Sequence, residues 1–308
     1  MSAGADTQAR VSPAQIARRE HIPLAIFFMI ASGAVFNCAN AGSKWLIASY
    51  PIGEVLFVRT LAALITMAAF ILPAAGLAVY RTRKLRAHLM RATSQVGSQT
   101  MLLIAFSMMP LAGVTAIMFS SPIFSTLASA YFLKEKVGRV RWAVLLIGFL
   151  GVLVIANPGA GTFSLGALFA LGNAILFGTV VAGVRGMAST ESAETLLMFQ
   201  LTLLTCAYSF ALLLGFTMPS GFDALVMIGS GIGNGFAQYL WTRAIHLAPT
   251  SAVVPFQYLQ LIWAILLGLA IWGDLPTFAL LAGSAIVIGS GLYLFWHETR
   301  RMPVAEGD

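Results

Sequence analysis

Apolar runs of about twenty residues alternate with short polar connections along this chain, and ten such runs can be marked. They extend approximately over 22–45, 51–72, 88–109, 112–132, 140–156, 165–184, 193–216, 225–245, 251–272 and 277–296. A helix of ~20 mostly apolar residues is the length that crosses the hydrocarbon core of a bilayer. The pattern therefore predicts an all-α chain with ten transmembrane helices. The polar stretch 1–21 and the end 298–308 become tails, and the short connections leave no room for an extramembrane domain. The run after residue 21 lacks a small-residue cleavage site, so it is expected to remain as the first helix.

Composition supports this reading. Hydrophobic residues make up 59% of the 308 positions and charged residues 9%, against roughly one quarter charged in an ordinary soluble domain. The net charge of +7 raises the question of nucleic acid, but the basic residues sit between apolar runs and build no basic soluble face. Arg81, Arg83, Lys84, Arg86 and Arg91 follow the second run. Lys134, Lys136, Arg139 and Arg141 follow the fourth, while Arg185, Arg243, Arg300 and Arg301 follow the sixth, eighth and tenth. Lys44 alone lies after an odd-numbered run. Because Lys and Arg are retained on the cytoplasmic side, both termini are expected there, in a multi-pass protein of a bacterial inner membrane.

The chain also repeats itself. A shift of 140 places Glu54 over Glu194 and Ala34 over Ala174. A shift of 139 places Gln99 over Gln238, Ala105 over Ala244, Pro110 over Pro249, Ile123 over Ile262 and Glu135 over Asp274. An odd number of helices in each half turns the second half over in the membrane. The repeat is therefore expected to be inverted, with residues 22–156 as the first five-helix unit, 157–163 as a linker and 164–297 as the second. A site near the bilayer midplane between the halves is the usual consequence.

The segments Ala105–Pro110 and Ala244–Pro249, the Ser-Pro-Ile-Phe run from Ser121 and the Lys134-Glu135-Lys136 turn resemble the EamA-type carriers of the drug/metabolite transporter superfamily, over about 22–297. Within that family the chain is most similar to the bacterial aromatic amino-acid exporters. The resemblance implies two inverted five-helix repeats around a central cavity and export of amino acids, aromatic ones favoured, by alternating access. Efflux of drugs or other metabolites is the alternative. One departure is that Leu261 stands where the first half has Pro122, while the second half carries Pro255.

Amides and hydroxyls within apolar spans turn away from lipid. Asn37, Asn40 and Lys44 share one face of the first helix by their spacing. The third helix offers Gln95 and Gln99, and the eighth Asn234, Gln238 and Trp241. The ninth offers Gln257 and Gln260, the fourth Met118, Ser121 and Ser125, and the sixth Asn173, Phe177 and Val180. From these the expected substrate lining is Asn37, Gln99, Met118, Ser121, Phe177, Gln238, Trp241, Gln257, Gln260 and Trp263. Amides can meet an ammonium and a carboxylate, and Trp241, Phe177 and Trp263 an aromatic ring. The same amides also serve as interhelical glue in many bundles. Pro122 and Pro255 are the expected hinges.

Arg59 is the one basic residue near the middle of a span. It calls for a partner, a carbonyl-rich pocket or a snorkelling route to the interface. Glu54, Glu135, Glu194 and Asp274 all fall at helix ends, which leaves uniport open beside coupling through His246 or a terminal carboxylate. Cys38 and Cys206 read as core packing, without metal-ligand spacing. No HExxH motif, paired intramembrane aspartates or phosphate loop is present, so neither an enzyme nor a cofactor or metal is expected, and no filter signature suggests a channel. The expected partners are a small-molecule substrate and the lipid bilayer. An inverted duplication completes a cavity within a monomer and leaves a dimer open.

Overall fold

The computed structural model describes residues 22–132, 138–156, 165–187, 190–247 and 256–301. The Lys134–Glu135–Lys136 turn, the 157–163 linker, Pro249 and the hinge assigned to Pro255 lie outside the described residues, as does the side chain of His246. Helices and short turns account for the described chain, with no strand among those residues. In order the helices are α1 (Ile22–Leu46), α2 (Ile52–Ala75), α3 (Leu85–Met108), α4 (Leu111–Met118), α5 (Ser121–Phe132), α6 (Arg139–Ala156), α7 (Leu165–Met187), α8 (Ala193–Ala211), α9 (Gly221–Leu247), α10 (Gln260–Trp272) and α11 (Phe278–Arg301).

The fourth apolar run, expected as one helix over 112–132, is broken at Phe119–Ser120. Pro122 explains the break. A proline inside a continuous helix loses a donor and collides with the carbonyl four residues back. Starting a new helix at Ser121 puts the ring in the first turn, where no N–H is needed. Turn bonds bridge the gap, from Ser120 N to Ile117 O at 2.9 Å and from Ile123 N to Ser120 O at 2.9 Å.

Four stretches, Ile22–Leu46, Ile52–Tyr80, Leu165–Val184 and Ala193–Leu214, are long and apolar enough on their own to cross a membrane. The helices α3 and α9 are longer than some of these yet too polar to qualify, since α3 carries Arg91, Gln95, Ser98 and Gln99 and α9 carries Ser230, Asn234 and Gln238. Neighbours cover them instead. The closest pairings in the fold are α9 along α1 and α3 along α7, followed by α6 with α11, α9 with α2, α5 with α7 and α2 with α8.

Side chains are sorted in the opposite sense to a soluble protein. Phe27, Ile65, Leu146 and Phe210 are exposed, while Glu54, Arg59, His88, Gln95 and Asn173 are buried. An apolar exterior is what lipid selects, and polar groups then find partners only inside. Cys38 and Cys206, expected in the core, are both exposed on this outer surface. A small thiol behaves as a hydrophobe and is at home against hydrocarbon.

Glycine permits the tightest of these packings. A Cβ on Gly231 of α9 would meet the Arg59 carbonyl oxygen of α2 at 2.5 Å, so only a hydrogen lets the two backbones touch. Between α6 and α11, Gly151 and Gly283 face one another in the same way, each 2.8 Å or less from the other's carbonyl oxygen when given a Cβ.

Candidate functional site

The face of α1 picked out by spacing forms a polar stripe inside the bundle. Asn37 is buried and its Nδ2 donates to Gly33 O at 2.9 Å. Asn40 follows one turn later. Lys44 closes the stripe, donating to Met109 O at 2.6 Å with its ammonium 5.1 Å over the Trp272 ring. At 1.5 Å rise per residue the stripe from Asn37 to Lys44 covers about 10 Å.

Arg59, in the second turn of α2, is 2% exposed. It neither snorkels nor meets a carboxylate at ion-pair distance among the described residues. Three neutral oxygens receive it: Nη2 donates to Asn234 Oδ1 at 2.7 Å and to Asn40 Oδ1 at 3.2 Å, and Nη1 to Ser43 Oγ at 3.1 Å. The guanidinium thus ties α1, α2 and α9 together. Glu54, the nearest acid in sequence, is committed elsewhere and accepts from Thr217 N at 2.8 Å.

A second polar seam joins α3 to α7. Asn173 Nδ2 donates to Ser98 O and Ser98 Oγ, both at 2.8 Å. Beside it Tyr208 of α8 donates its hydroxyl to Val96 O at 2.9 Å and lies 3.3 Å from Thr100 Oγ1. What distinguishes the interior is what remains unpaired. The amide oxygens of Asn37, Gln95, Gln99 and Asn173 are buried with no hydrogen-bond donor among the described residues. A buried acceptor left bare costs about 1–3 kcal/mol, and these four stand on α1, α3 and α7.

The remaining expected lining residues fall as follows. Gln260, at the start of α10, lies over Gly33 of α1, where a Cβ would come within 2.7 Å of its Cγ. It therefore shares the neighbourhood of Asn37, one turn along α1. Trp241 packs on a cluster of Ala25, Met29 and Ala244, and Met118 packs against the main core around α4. Ser121, Phe177, Gln238 and Gln257 are half-buried, and Trp263 is partly exposed. Pro122 is exposed in the first turn of α5.

Two polar clusters lie at the ends of the bundle. At one, Tyr50 and Ser220 both donate to Asp223 Oδ2 at 2.8 Å, and these bonds hold its carboxyl below the usual aspartate range. A cavity of about 170 Å³ opens among Met109, Gly113, Ile155, Gly268, Asp274 and Thr277, where Met109 O receives Lys44. At the other end, His88, Arg91 and Glu191 come together. Arg91, counted with the loop cations from sequence, is instead buried in α3 and donates to Leu196 O of α8. Sequence reasoning missed this cluster because His88 and Glu191 are more than a hundred residues apart. The one available sign was an excess of polar residues opening the third run. Among the described residues no group of three or more His, Cys, Asp or Glu side chains is placed to hold a metal.

Comparison with known proteins bears on this interior. Residues 23–157 match the EamA-like transporter family. The chain is 28% identical to a riboflavin transporter of Vibrio cholerae over 92% of its own length and 96% of that protein's. It is also 28% identical to a riboflavin transporter of Rhizobium johnstonii, covering 89% and 91% of the two chains. With an S-adenosylmethionine uptake transporter of Rickettsia conorii it shares 23% identity, covering 81% and 84%. A solved crystal structure, 18% identical, covers 91% of this chain and 99% of its own with a TM-score of 0.65, a likeness of fold.

Proposed function

We propose that this chain is a membrane transporter of the EamA-like kind that its first half matches, and that it carries a ring-bearing metabolite rich in hydrogen-bond donors, with riboflavin as the first candidate. The observation that carries this reading is the set of bare amide oxygens on Asn37, Gln95, Gln99 and Asn173. The ribityl hydroxyls and ring N–H of a flavin spread several donors along the molecule, whereas an amino acid gathers its three ammonium N–H donors at one point. The cation of Arg59 inside the bundle, without a carboxylate among the described residues, disfavours a substrate with a fixed positive charge such as the sulfonium of S-adenosylmethionine. Full-length similarity to two riboflavin transporters points the same way. The half-buried Phe177 and Trp241 are the rings proposed to lie against the flavin.

The architecture proposed is ten spans in two inverted five-helix repeats, 22–156 and 164–297, with both tails on the cytoplasmic side of a bacterial inner membrane. Helix pairing supports it. If α1, α2, α3, α4 with α5, and α6 exchange with α7, α8, α9, α10 and α11, then the α1–α9 contact exchanges with α3–α7, the two closest in the fold. The α2–α8, α4–α10 and α6–α11 contacts map onto themselves. Substrate access then alternates by rocking around the shared interior, with Asn37, Gln99, Gln238, Gln257 and Gln260 in its lining and Pro122 and Pro255 at the bends.

Export of aromatic amino acids is the second reading, kept because amide-lined interiors also accept an ammonium and a carboxylate. Flux of riboflavin, tryptophan and phenylalanine into proteoliposomes of the purified protein separates the two. Saturable riboflavin movement is expected. Tryptophan or phenylalanine moving while riboflavin does not would favour the second reading, and no movement of any of them would reject both.

A further inference from the structure

His88 is 1% exposed, and neither ring nitrogen has a hydrogen-bond partner among the described residues. Its ring stacks on Phe199 of α8, with centroids 4.4 Å apart and an interplanar angle of 28°. Its Nε2 stands 4.0 Å from Glu191 Oε2, beyond hydrogen-bond reach and within reach of a small shift. Glu191 belongs to the turn before α8 and is held from the other side, where Thr82 Oγ1 donates to its Oε1 at 2.7 Å. One imidazole therefore sits between α3, α8 and the turn leading into α8.

The charged groups around it can be named by element. On α3, Arg91 lies one turn on with its guanidinium turned to Leu196 O of α8. Just before α3, Lys84 donates its ammonium to Gly186 O of α7 at 3.4 Å. From the turn before α8 comes Glu191, and from α8 Phe199. Glu194, also on α8, lines a different crevice with Arg243 of α9. Tyr80 meets the edge of Phe199 at 5.6 Å and its hydroxyl lies 2.9 Å from Thr202 Oγ1. Glu191 is thus the carboxylate placed to receive a proton-bearing imidazole.

We propose that His88 and Glu191 form a proton-operated latch at the cytoplasmic mouth of the carrier, a proposal that rests on the transporter reading above. A proton on Nε2 gives His88 a donor and a charge that draw Glu191 in, fastening α3 to the turn before α8. Burial and the neighbouring Arg91 oppose a charge on His88 as it stands; drawing Glu191 onto Nε2 offsets them, so closure strengthens on the acidic side and relaxes as pH rises. Among the described residues the opposite end has no equivalent switch. There the corresponding loops are joined by Tyr50 with Asp223 and by Glu54 with Thr217 N, with no histidine among the described residues. The repeat places Met227 over His88, so the imidazole is peculiar to one mouth.

The test uses the full chain in lipid nanodiscs and proteoliposomes. Amide hydrogen exchange over 85–91 and 190–196, corrected for intrinsic pH dependence, is compared between about pH 5.5 and 8, the range that brackets imidazole titration. Wild type is expected to protect both segments more at acid pH, and His88→Gln and Glu191→Gln to lose that dependence. Each unit of difference in proton affinity between the closed and open mouths changes their ratio about tenfold. Riboflavin flux in proteoliposomes is expected to fall with acid on the cytoplasmic face alone, and not to do so in His88→Gln. Exchange that is independent of pH in wild type, or equally dependent in both variants, overturns the latch. Dependence in wild type alone with no riboflavin flux would uphold the latch and reject the substrate.

Discussion

The Arg59 cage provides the sharpest quantitative prediction. Asn234→Ala removes the shortest of its three acceptors, the 2.7 Å contact from Nη2, and leaves a buried cation with two longer ones. Hydrogen bonds to charged groups contribute about 1.5–3 kcal/mol each, so a loss of about 2 kcal/mol is expected. That is a factor of roughly 30 in the unfolding equilibrium. Asn40→Ala, which removes the 3.2 Å contact, should be milder at about 1 kcal/mol. Asn234→Asp gives the sign test. It replaces a neutral acceptor with a countercharge for a buried guanidinium, so it must be less destabilising than Asn234→Ala. Unfolding by SDS titration in mixed micelles, followed by loss of helicity, measures all three. If Asn234→Asp proves worse than Asn234→Ala, or if Asn234→Ala has no effect, Arg59 does not depend on this cage and its charge is compensated elsewhere.

Further outcomes follow from packing and charge. Gly231→Ala forces α9 away from α2, because the new methyl group meets backbone and cannot be relieved by a side-chain rotation; a loss of about 1–3 kcal/mol is expected in the same titration. Tyr50→Phe removes the largest of the hydrogen-bond contributions that hold the Asp223 carboxyl below its usual range. A carboxyl depressed in the folded state stabilises above its unfolded value and loses that contribution as pH falls through the folded one. The difference between Tyr50→Phe and wild type should therefore shrink on acidification, and a difference that grows below about pH 4 would contradict the assignment. Gln260→Ala should leave stability nearly unchanged, since the side chain merely lies over Gly33, yet weaken riboflavin flux; intact flux would remove Gln260 from the lining.

How much of this was legible in the sequence depends on the range of the interaction. The face of α1 followed from helical spacing alone, because Asn37, Asn40 and Lys44 recur with the helical period. The partners of Arg59 did not. Asn234 is 175 residues away, and no local pattern ties it to α2 although both residues could be flagged singly as polar in an apolar run. The break at Phe119–Ser120 was foreshadowed by Pro122, but a hydropathy run continues through it because both sides are equally apolar. Cys38 and Cys206 were misplaced for a related reason: in a chain surrounded by lipid, apolar character does not separate the core from the exterior. Arg91 was assigned to a loop by its charge, whereas the Leu196 carbonyl of α8 gives it a place within the bundle.

The central claim is that the bare amide oxygens of the interior receive the substrate's donors. It is tested most directly by the affinity of the purified protein for riboflavin, read from quenching of flavin fluorescence, in wild type and Gln99→Leu. Gln99 is half-buried and only its amide oxygen is buried without a partner, so an apolar group of similar shape in its place should keep or raise stability and give a folded variant. If Gln99 accepts a flavin donor, losing that bond weakens binding by about 1 kcal/mol or more, which is fivefold or greater. A stable Gln99→Leu protein that binds riboflavin as tightly as wild type would contradict the account.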